Sequence, residues 1–494
     1  MLLYALLILP FLALMLIFCL PKAREQAASW VNLGVCAAQL LCLLVLWPDS
    51  QAVIEANWWT WASTKTPWLA LEMGSSKLEL NIHLVLDALN APLLLLNFVL
   101  LGIATWISKA QSLSKARLYH ALIGLLNITV VGSLLSFNFL LFYVFFELML
   151  VPLYFLIGIW GMKNRVYAAV KLFAYTLLGS LLLLGGGILL AQTQSFSFDW
   201  LDWYQSKLPL GTADEYRHYA FWLILIGFGI KLPFVPFHTW LPDAHVQAST
   251  PVSVLLAGIV LKIGGYGLLR FCALLFPEEI ASHGFWLALW GIFSVFYASM
   301  AALGQHNFKS LVAYSSVGHL GFVLLGIGSN NVLSLSGASY QMLGHGLVSA
   351  LLFILAGSLQ KRGGSLEIKD YSGLWIKTPW WAAFMAMGLF AAMSLPLSPG
   401  FIAEILVLLG SFKAFGWTLG LGVCAAMLFS ASYGLWAVKR LFFGPYWQNP
   451  DLPPLNRDMP LSEKVLCVLL LAGILSLGLF PFIFLDLWAK VFGI

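Results

Sequence analysis

Charge is scarce in this chain. Of its 494 residues only 10% are Asp, Glu, Lys or Arg, against 61% hydrophobic, a balance that excludes an ordinary soluble globular protein. Cysteine is rarer still. Cys19, Cys36, Cys42, Cys272, Cys424 and Cys467 show no C-x-x-C spacing, which excludes a disulfide framework and a thiolate-held zinc or iron–sulfur site. They read as small core hydrophobes. The chain also lacks G-x-G-x-x-G, G-x-x-x-x-G-K-[ST] and a nucleophile elbow, so NADH, flavin (FMN) and ATP are not expected to bind here. No residue is assigned to a cofactor or a metal. The net charge of +5 is spread over short loops rather than gathered into a stripe, which speaks against nucleic acid. No Ser/Pro-rich linker or charge block divides residues 1–494, and they are read as a single domain.

Apolar sequence takes the place of all this. Runs of about 18 or more residues, each enough to cross the hydrocarbon as a helix, recur about fourteen times between 1–20 and 465–489. The expected fold is all-α, a polytopic membrane protein of about 14 transmembrane helices embedded in lipid. No basic residue precedes the first run, and Lys22 and Arg24 follow it, the reverse of a secretory signal peptide. That run is expected to stay, with its start outside. Alternation from there puts 17 basic residues inside, Lys309 and Lys361 among them, and 7 outside, Arg217 and Arg270 among them. This obeys the positive-inside rule. Both termini then face outward, which suits a bacterial inner membrane. Trp58, Trp59, Trp61, Trp200 and Trp203 in the longer connections read as interfacial anchors.

Two apolar runs are interrupted. L-P-x-x-P occurs at 232–236 with Pro233 and Pro236, and again 163 residues later at 395–399 with Pro396 and Pro399. Five helices lie in each period, and an odd number inverts the second copy relative to the first, as in inverted-repeat transporters. The organisation expected is an N-terminal three-helix part (1–111), two five-helix repeats (112–275 and 276–442) and a C-terminal helix (443–494), with helices 7 and 12 broken. Proline removes backbone hydrogen bonds, and the freed carbonyls survive at depth only when buried in protein or facing water. A discontinuous helix lining a hydrated interior is one reading of 227–245; a purely structural kink is the other.

Four ionisable residues fall inside apolar runs: Glu147, Lys231, Lys262 and Glu404. Each costs about 2.5 to 3.5 kcal/mol if left alone at the bilayer centre, and the cheapest remedy sets carboxylate beside ammonium with water reaching both. Buried pairs are poor stabilisers, so several such groups on different helices point to proton traffic more than to structure. His238 and His245 flank the first break, and His319 and His345 sit in later apolar runs. Histidine titrates near neutrality and suits a relay, although each could equally be a helix-to-helix hydrogen bond. Trp240, Asp243 and His245 read as a loop cap at the inner surface.

The stretches FFELMLVPLYFLIGIWG, KLPFVPFHTWLPDAHVQASTPVSVLLAGIVLKIGGYGLLR, KSLVAYSSVGHLGFV and GHGLVSALLFILAG resemble the antiporter-like chain M (chain 4) family of respiratory complex I, the proton-pumping NADH:quinone oxidoreductase. The likeness covers nearly the whole chain. It implies a fourteen-helix subunit with broken seventh and twelfth helices, in which Glu147 pairs with Lys231, Lys262 is the central relay lysine and Glu404 the outlet. By the same motif match His319 and His345 occupy relay positions. Glutamate at position 404, where related chains L and N and the cation/proton antiporters usually carry lysine, favours chain M.

The resemblance further implies neighbouring antiporter-like membrane-arm subunits as partners, protons as substrate, and NADH, FMN, iron–sulfur clusters and quinone in partner subunits. The function expected is therefore one proton channel of a translocase, with no redox chemistry in this chain. The alternatives are a subunit of a cation/proton antiporter or membrane-bound hydrogenase, and an inert scaffold of the membrane arm.

Overall fold

The computed structural model describes residues 2–21, 24–47, 60–73, 76–109, 114–193, 196–205 and 213–493. The chain begins with α1 (Leu2–Cys19) and α2 (Ala27–Leu46), followed by an antiparallel hairpin of β1 (Thr60–Met73) and β2 (Ser76–Asp87). Then come α3 (Ala91–Lys109), α4 (Ala116–Leu135), α5 (Phe139–Leu148), α6 (Leu150–Trp160), α7 (Arg165–Gln192) and the short α8 (Trp200–Gln205). The middle holds α9 (Ala213–Lys231), α10 (Trp240–Gln247), α11 (Thr250–Leu255) and α12 (Leu261–Gly267), with π-helical turns at Leu256–Val260 and Leu268–Ala273. The chain continues through α13 (Pro277–Leu303), α14 (Phe308–Ser329), α15 (Val332–Gly363), α16 (Pro379–Ala392), α17 (Pro399–Phe415), α18 (Trp417–Phe442), α19 (Leu461–Leu479) and α20 (Phe482–Phe492). A small strand pair, β3 (Tyr371–Ser372) and β4 (Trp447–Gln448), ties the connections before α16 and after α18.

Twelve helical stretches among the described residues are long and apolar enough to cross a membrane. Two more of the expected segments, 219–240 and 379–412, are the ones that the structure divides: α9 stops at Lys231, and α16 stops at Ala392 before α17 starts at Pro399. The Thr250–Ala273 stretch is buried along its length, and α14 and α15 nearly so, while α1, α2 and α19 expose much of their apolar surface. The polar interior therefore runs through the middle of the bundle.

The breaks survive because their carbonyls find partners. At the first, Trp240 Nε1 donates to the Ile230 carbonyl at 3.0 Å and Trp290 Nε1 to that of Val235 at 2.6 Å. At the second, the Tyr433 hydroxyl donates to the Ala392 carbonyl at 3.3 Å, and the Ser394 and Leu395 amides donate to Ala391 and Phe390. Ser394 (φ +54°) and Leu397 (φ +75°) lie in the left-handed region, a conformation that stores strain in residues other than glycine. Ser398 caps α17 by accepting from the Phe401 amide, with Pro399 at the first helical position. A side chain at Gly478 would collide with the Leu397 carbonyl, so α19 closes on this break only because the position is bare.

Several expectations are corrected. His245, read as part of a surface loop, lies on α10, fully buried and stacked on Phe353 with ring centroids 4.4 Å apart; Trp240 is buried on the same helix, and Asp243 instead pairs with Lys171 at 2.7 Å. His238 does lie in the turn between α9 and α10, but buried against Tyr297 and Tyr314. Trp200 and Trp203 are buried rather than interfacial, because their indole nitrogens donate to the Arg270 and Ser197 carbonyls. Arg270 and Lys309, counted as loop charges, are buried in the bundle. Cys19 is exposed rather than in the core. The mostly helical fold also carries the β1–β2 hairpin, where S-K-L-E-L-N-I-H-L-V-L-D alternates polar and apolar with the period of two that a strand requires. Trp58, Trp59, Lys22 and Lys207 lie outside the described residues.

Candidate functional site

The π-helical turn at Leu256–Val260 frees backbone groups just ahead of Lys262, and such bulges recur at functional sites. Lys262 Nζ donates to the Ala257 carbonyl and lies 2.7 Å from His345 Nδ1 on α15. With Lys262 as the ammonium, which has only donors, His345 Nδ1 accepts and its proton sits on Nε2. The His345 and His319 ring centroids lie 5.5 Å apart, with the rings tilted 44° to one another. His319 Nδ1, on α14, is 3.4 Å from Glu404 Oε1 on α17. Ser394 at the second break donates to the same Glu404 oxygen at 2.6 Å. Lys262, His345, His319 and Glu404, singled out one by one in the sequence, thus form a single file across four helices, with a void of about 10 Å³ between the histidines and the second break, room for roughly one water.

Two residues in this file were not anticipated. Gln341 Nε2 approaches His319 Nδ1 at 3.1 Å, and the Tyr433 hydroxyl approaches His319 Nε2 at 3.0 Å. The signal for Gln341 was there to be read: it stands four residues before His345, on the same helix face. Tyr433 had no such signal, because α18 is remote in sequence.

Glu147 and Lys231 are close enough to interact electrostatically, but they make no ion pair within 4 Å. Lys231 Nζ and Glu147 Oε2 have no hydrogen-bond partner among the described residues, and the ammonium sits 4.7 Å over the Phe146 ring. Lys231 ends α9, where the helix dipole favours a cation. Pro233 and Pro236 follow it directly, whereas Glu404 lies past Pro396 and Pro399, inside the second half-helix. The two charges therefore stand on opposite sides of their breaks.

At the α10 and α14 end a cavity of about 610 Å³ opens between Trp106, Ser249, Thr250, Lys361 and Glu463 and reaches Lys309. Lys309 is buried and donates to the Ala248 carbonyl at 3.0 Å. His245 interacts electrostatically with both Lys309 and Lys262, while neither of its ring nitrogens has a hydrogen-bond partner among the described residues.

The hairpin lies at the opposite end. Arg270, after α12, pairs with Asp87 of β2 and lies over the Phe137 and Trp200 rings. Asp87 also accepts from the Leu89 and Asn90 amides. Beside it, Asp199 receives His83 and Lys65, each at 2.8 Å. Burial pushes the Asp199 carboxyl up, but the His83 and Lys65 hydrogen bonds outweigh it and hold the group below its ordinary range.

A family model described as NADH:quinone oxidoreductase/Mrp antiporter, TM, matches residues 136–430, which contain Lys262, His345, His319, Glu404 and Gln341 but not Tyr433. NADH-quinone oxidoreductase subunit M of Rickettsia conorii is 39% identical over 363 residues, 73% of this chain and 72% of that protein. NAD(P)H-quinone oxidoreductase chain 4 1 of Synechococcus elongatus is 36% identical over 492 residues, 96% of this chain and 87% of the relative. A chain of respiratory complex I from Thermus thermophilus superposes with TM-score 0.84 at 27% identity, covering 100% of this chain and 99% of that one. A chain of the Mrp complex from Dietzia sp. shares the fold, with TM-score 0.85 at 21% identity over 99% and 96% of the two chains. The chain is thus a member of the NADH:quinone oxidoreductase/Mrp antiporter transmembrane family, with subunit M and chain 4 proteins as its relatives.

Proposed function

We propose that this chain carries one proton channel in the membrane arm of a respiratory NADH:quinone oxidoreductase. The observation that carries the reading is the file Lys262, His345, His319, Glu404 on four helices, in which Lys262 contacts His345, His319 lies 3.4 Å from Glu404, and the two imidazole centroids are 5.5 Å apart beside a void with room for roughly one water. Protons enter through the cavity above Lys309, pass His245 to Lys262, and leave past Glu404. Glu147 and Lys231 act as the gate. Changing their separation alters the field at Lys262, and a few kcal/mol of such coupling shifts proton occupancy by orders of magnitude.

NADH, FMN, iron–sulfur clusters and quinone belong to partner subunits, and neighbouring antiporter-like chains flank this one. The surrounding membrane is a bacterial inner membrane crossed about fourteen times, with two inverted five-helix units (112–275 and 276–442) and both termini outward. The Lys309 cavity then faces inward.

The test is Lys231→Met in the assembled complex. Proton pumping coupled to quinone reduction is expected to be lost or sharply cut while the subunit still copurifies with its partners. Unchanged pumping removes the mechanism. The likeness to an Mrp complex chain keeps cation/proton antiport as the second reading, and transport that requires sodium would favour it.

A further inference from the structure

At the hairpin end, away from the proton file, α9 and α13 bring three potential ligand groups together. Glu279 Oε2 lies 3.1 Å from His218 Nδ1 and 3.6 Å from His283 Nε2, and one ligand atom from each of the three residues falls within 4.8 Å of the others. Two donors about 2.1 Å from one tetrahedral ion stand about 3.4 Å apart, so both separations match a shared ion with little movement. Glu279 and His283 are one helical turn apart on α13, and His218 reaches them from the first turns of α9.

We propose that His218, Glu279 and His283 bind a divalent transition-metal ion, zinc(II) by the chemistry of the donors, and that the ion clamps α9 to α13. Two imidazoles and one carboxylate suit zinc and disfavour magnesium and calcium, which require oxygen ligands. Three protein ligands leave a fourth position for water. The cation Arg217 next to His218 is offset by Glu278, its partner at 3.5 Å.

Trp222 Nε1 donates to His218 Nε2 at 3.2 Å, so the proton of the neutral imidazole sits on Nδ1, toward Glu279. Metal on Nδ1 moves that proton to Nε2 and makes the Trp222 indole turn away. Trp222 therefore opposes binding.

The consequence rests on the proton-channel reading. Lys231 ends α9, and Trp290 of α13 holds the Val235 carbonyl of the first break. An ion joining the two helices restrains their relative motion at that break and slows proton transfer.

Zinc chloride binding to the assembled complex, measured by equilibrium dialysis in excess magnesium, provides the test. The parent is expected to hold one more tightly bound zinc than either His218→Ala or His283→Ala, with at least about a tenfold loss of affinity at that site, while Trp222→Phe tightens it. X-ray absorption of the parent should show two imidazole nitrogens on the ion. Equal zinc binding by parent and both alanine variants overturns the site. Zinc should also slow pumping in the parent and not in His283→Ala; equal slowing overturns the clamp alone. The dialysis result stands whether or not the chain moves protons.

Discussion

The side-chain amide of Gln341 meets His319 on Nδ1, the same ring nitrogen that lies 3.4 Å from the Glu404 carboxylate. With the NH₂ group turned to Nδ1, His319 accepts there and is neutral, and its Nε2 proton points to Tyr433, which donates onward to Ala392. The amide oxygen of Gln341 is meanwhile buried with no partner. In the proposed route, a proton placed on Nδ1 is met by that oxygen after a half-turn of the amide. Gln341→Leu removes the acceptor, and a hydrogen bond to a charged group is worth about 1.5 to 3 kcal/mol. Proton pumping by the assembled complex is expected to fall by roughly 10- to 100-fold, read with a pH-sensitive dye in vesicles, with quinone binding unchanged.

The two breaks should be separately weakened by removing single donors. Trp290→Phe leaves the Val235 carbonyl unpaired, and Tyr433→Phe does the same to Ala392 while also removing the partner of His319 Nε2. Each orphaned group costs about 1 to 3 kcal/mol, which a thermal melt of the purified complex would register as an earlier loss of this subunit. A melt identical to the parent's would mean that the breaks do not depend on these donors.

Arg270 and Asp87 form a buried pair that anchors the hairpin to the central helix. Arg270→Met strands a carboxylate, at a cost of about 3 to 5 kcal/mol. Adding Asp87→Asn is expected to recover part of that loss, because the amide oxygen can still cap the Leu89 and Asn90 amides. Denaturant titration of the two variants distinguishes stranded charge from lost packing; no recovery in the double variant would contradict the pairing.

Asp199 carries the acid dependence of the hairpin end. Its carboxyl is held below its ordinary range, so the folded state binds fewer protons there than the unfolded chain. Its stabilising contribution is complete above the unfolded value of about 3.9 and is lost as pH falls through the lower folded value. The melting difference between parent and Asp199→Asn should hold from neutrality down to about pH 5 and then shrink. A difference that grows on acidification would reverse the assignment.

Much of the buried polar file was legible in the sequence because charge inside apolar runs has few explanations. Glu147, Lys231, Lys262 and Glu404 stood out for that reason, and the repeated L-P-x-x-P marked where α9 ends and where α16 gives way to α17. Position in the sequence misled where depth mattered. Lys309 and Arg270 lie near the ends of apolar runs, as loop charges do, yet both turn inward to carbonyl or carboxylate partners. His245 follows a proline-rich stretch that reads as a loop, but it is buried and stacked on Phe353. Partners such as Tyr433 and Asp87 are set by packing between segments remote in sequence, which no local pattern records.

The central claim is that protons cross by successive titration of the groups between Lys309 and Glu404. Its most direct test is the number of protons pumped per quinone reduced by an assembled complex carrying Lys262→Met, with the parent measured in the same vesicles. The ratio is expected to fall, because the file is cut between His245 and His345. A ratio equal to the parent's, in a complex shown to contain the subunit, would contradict it.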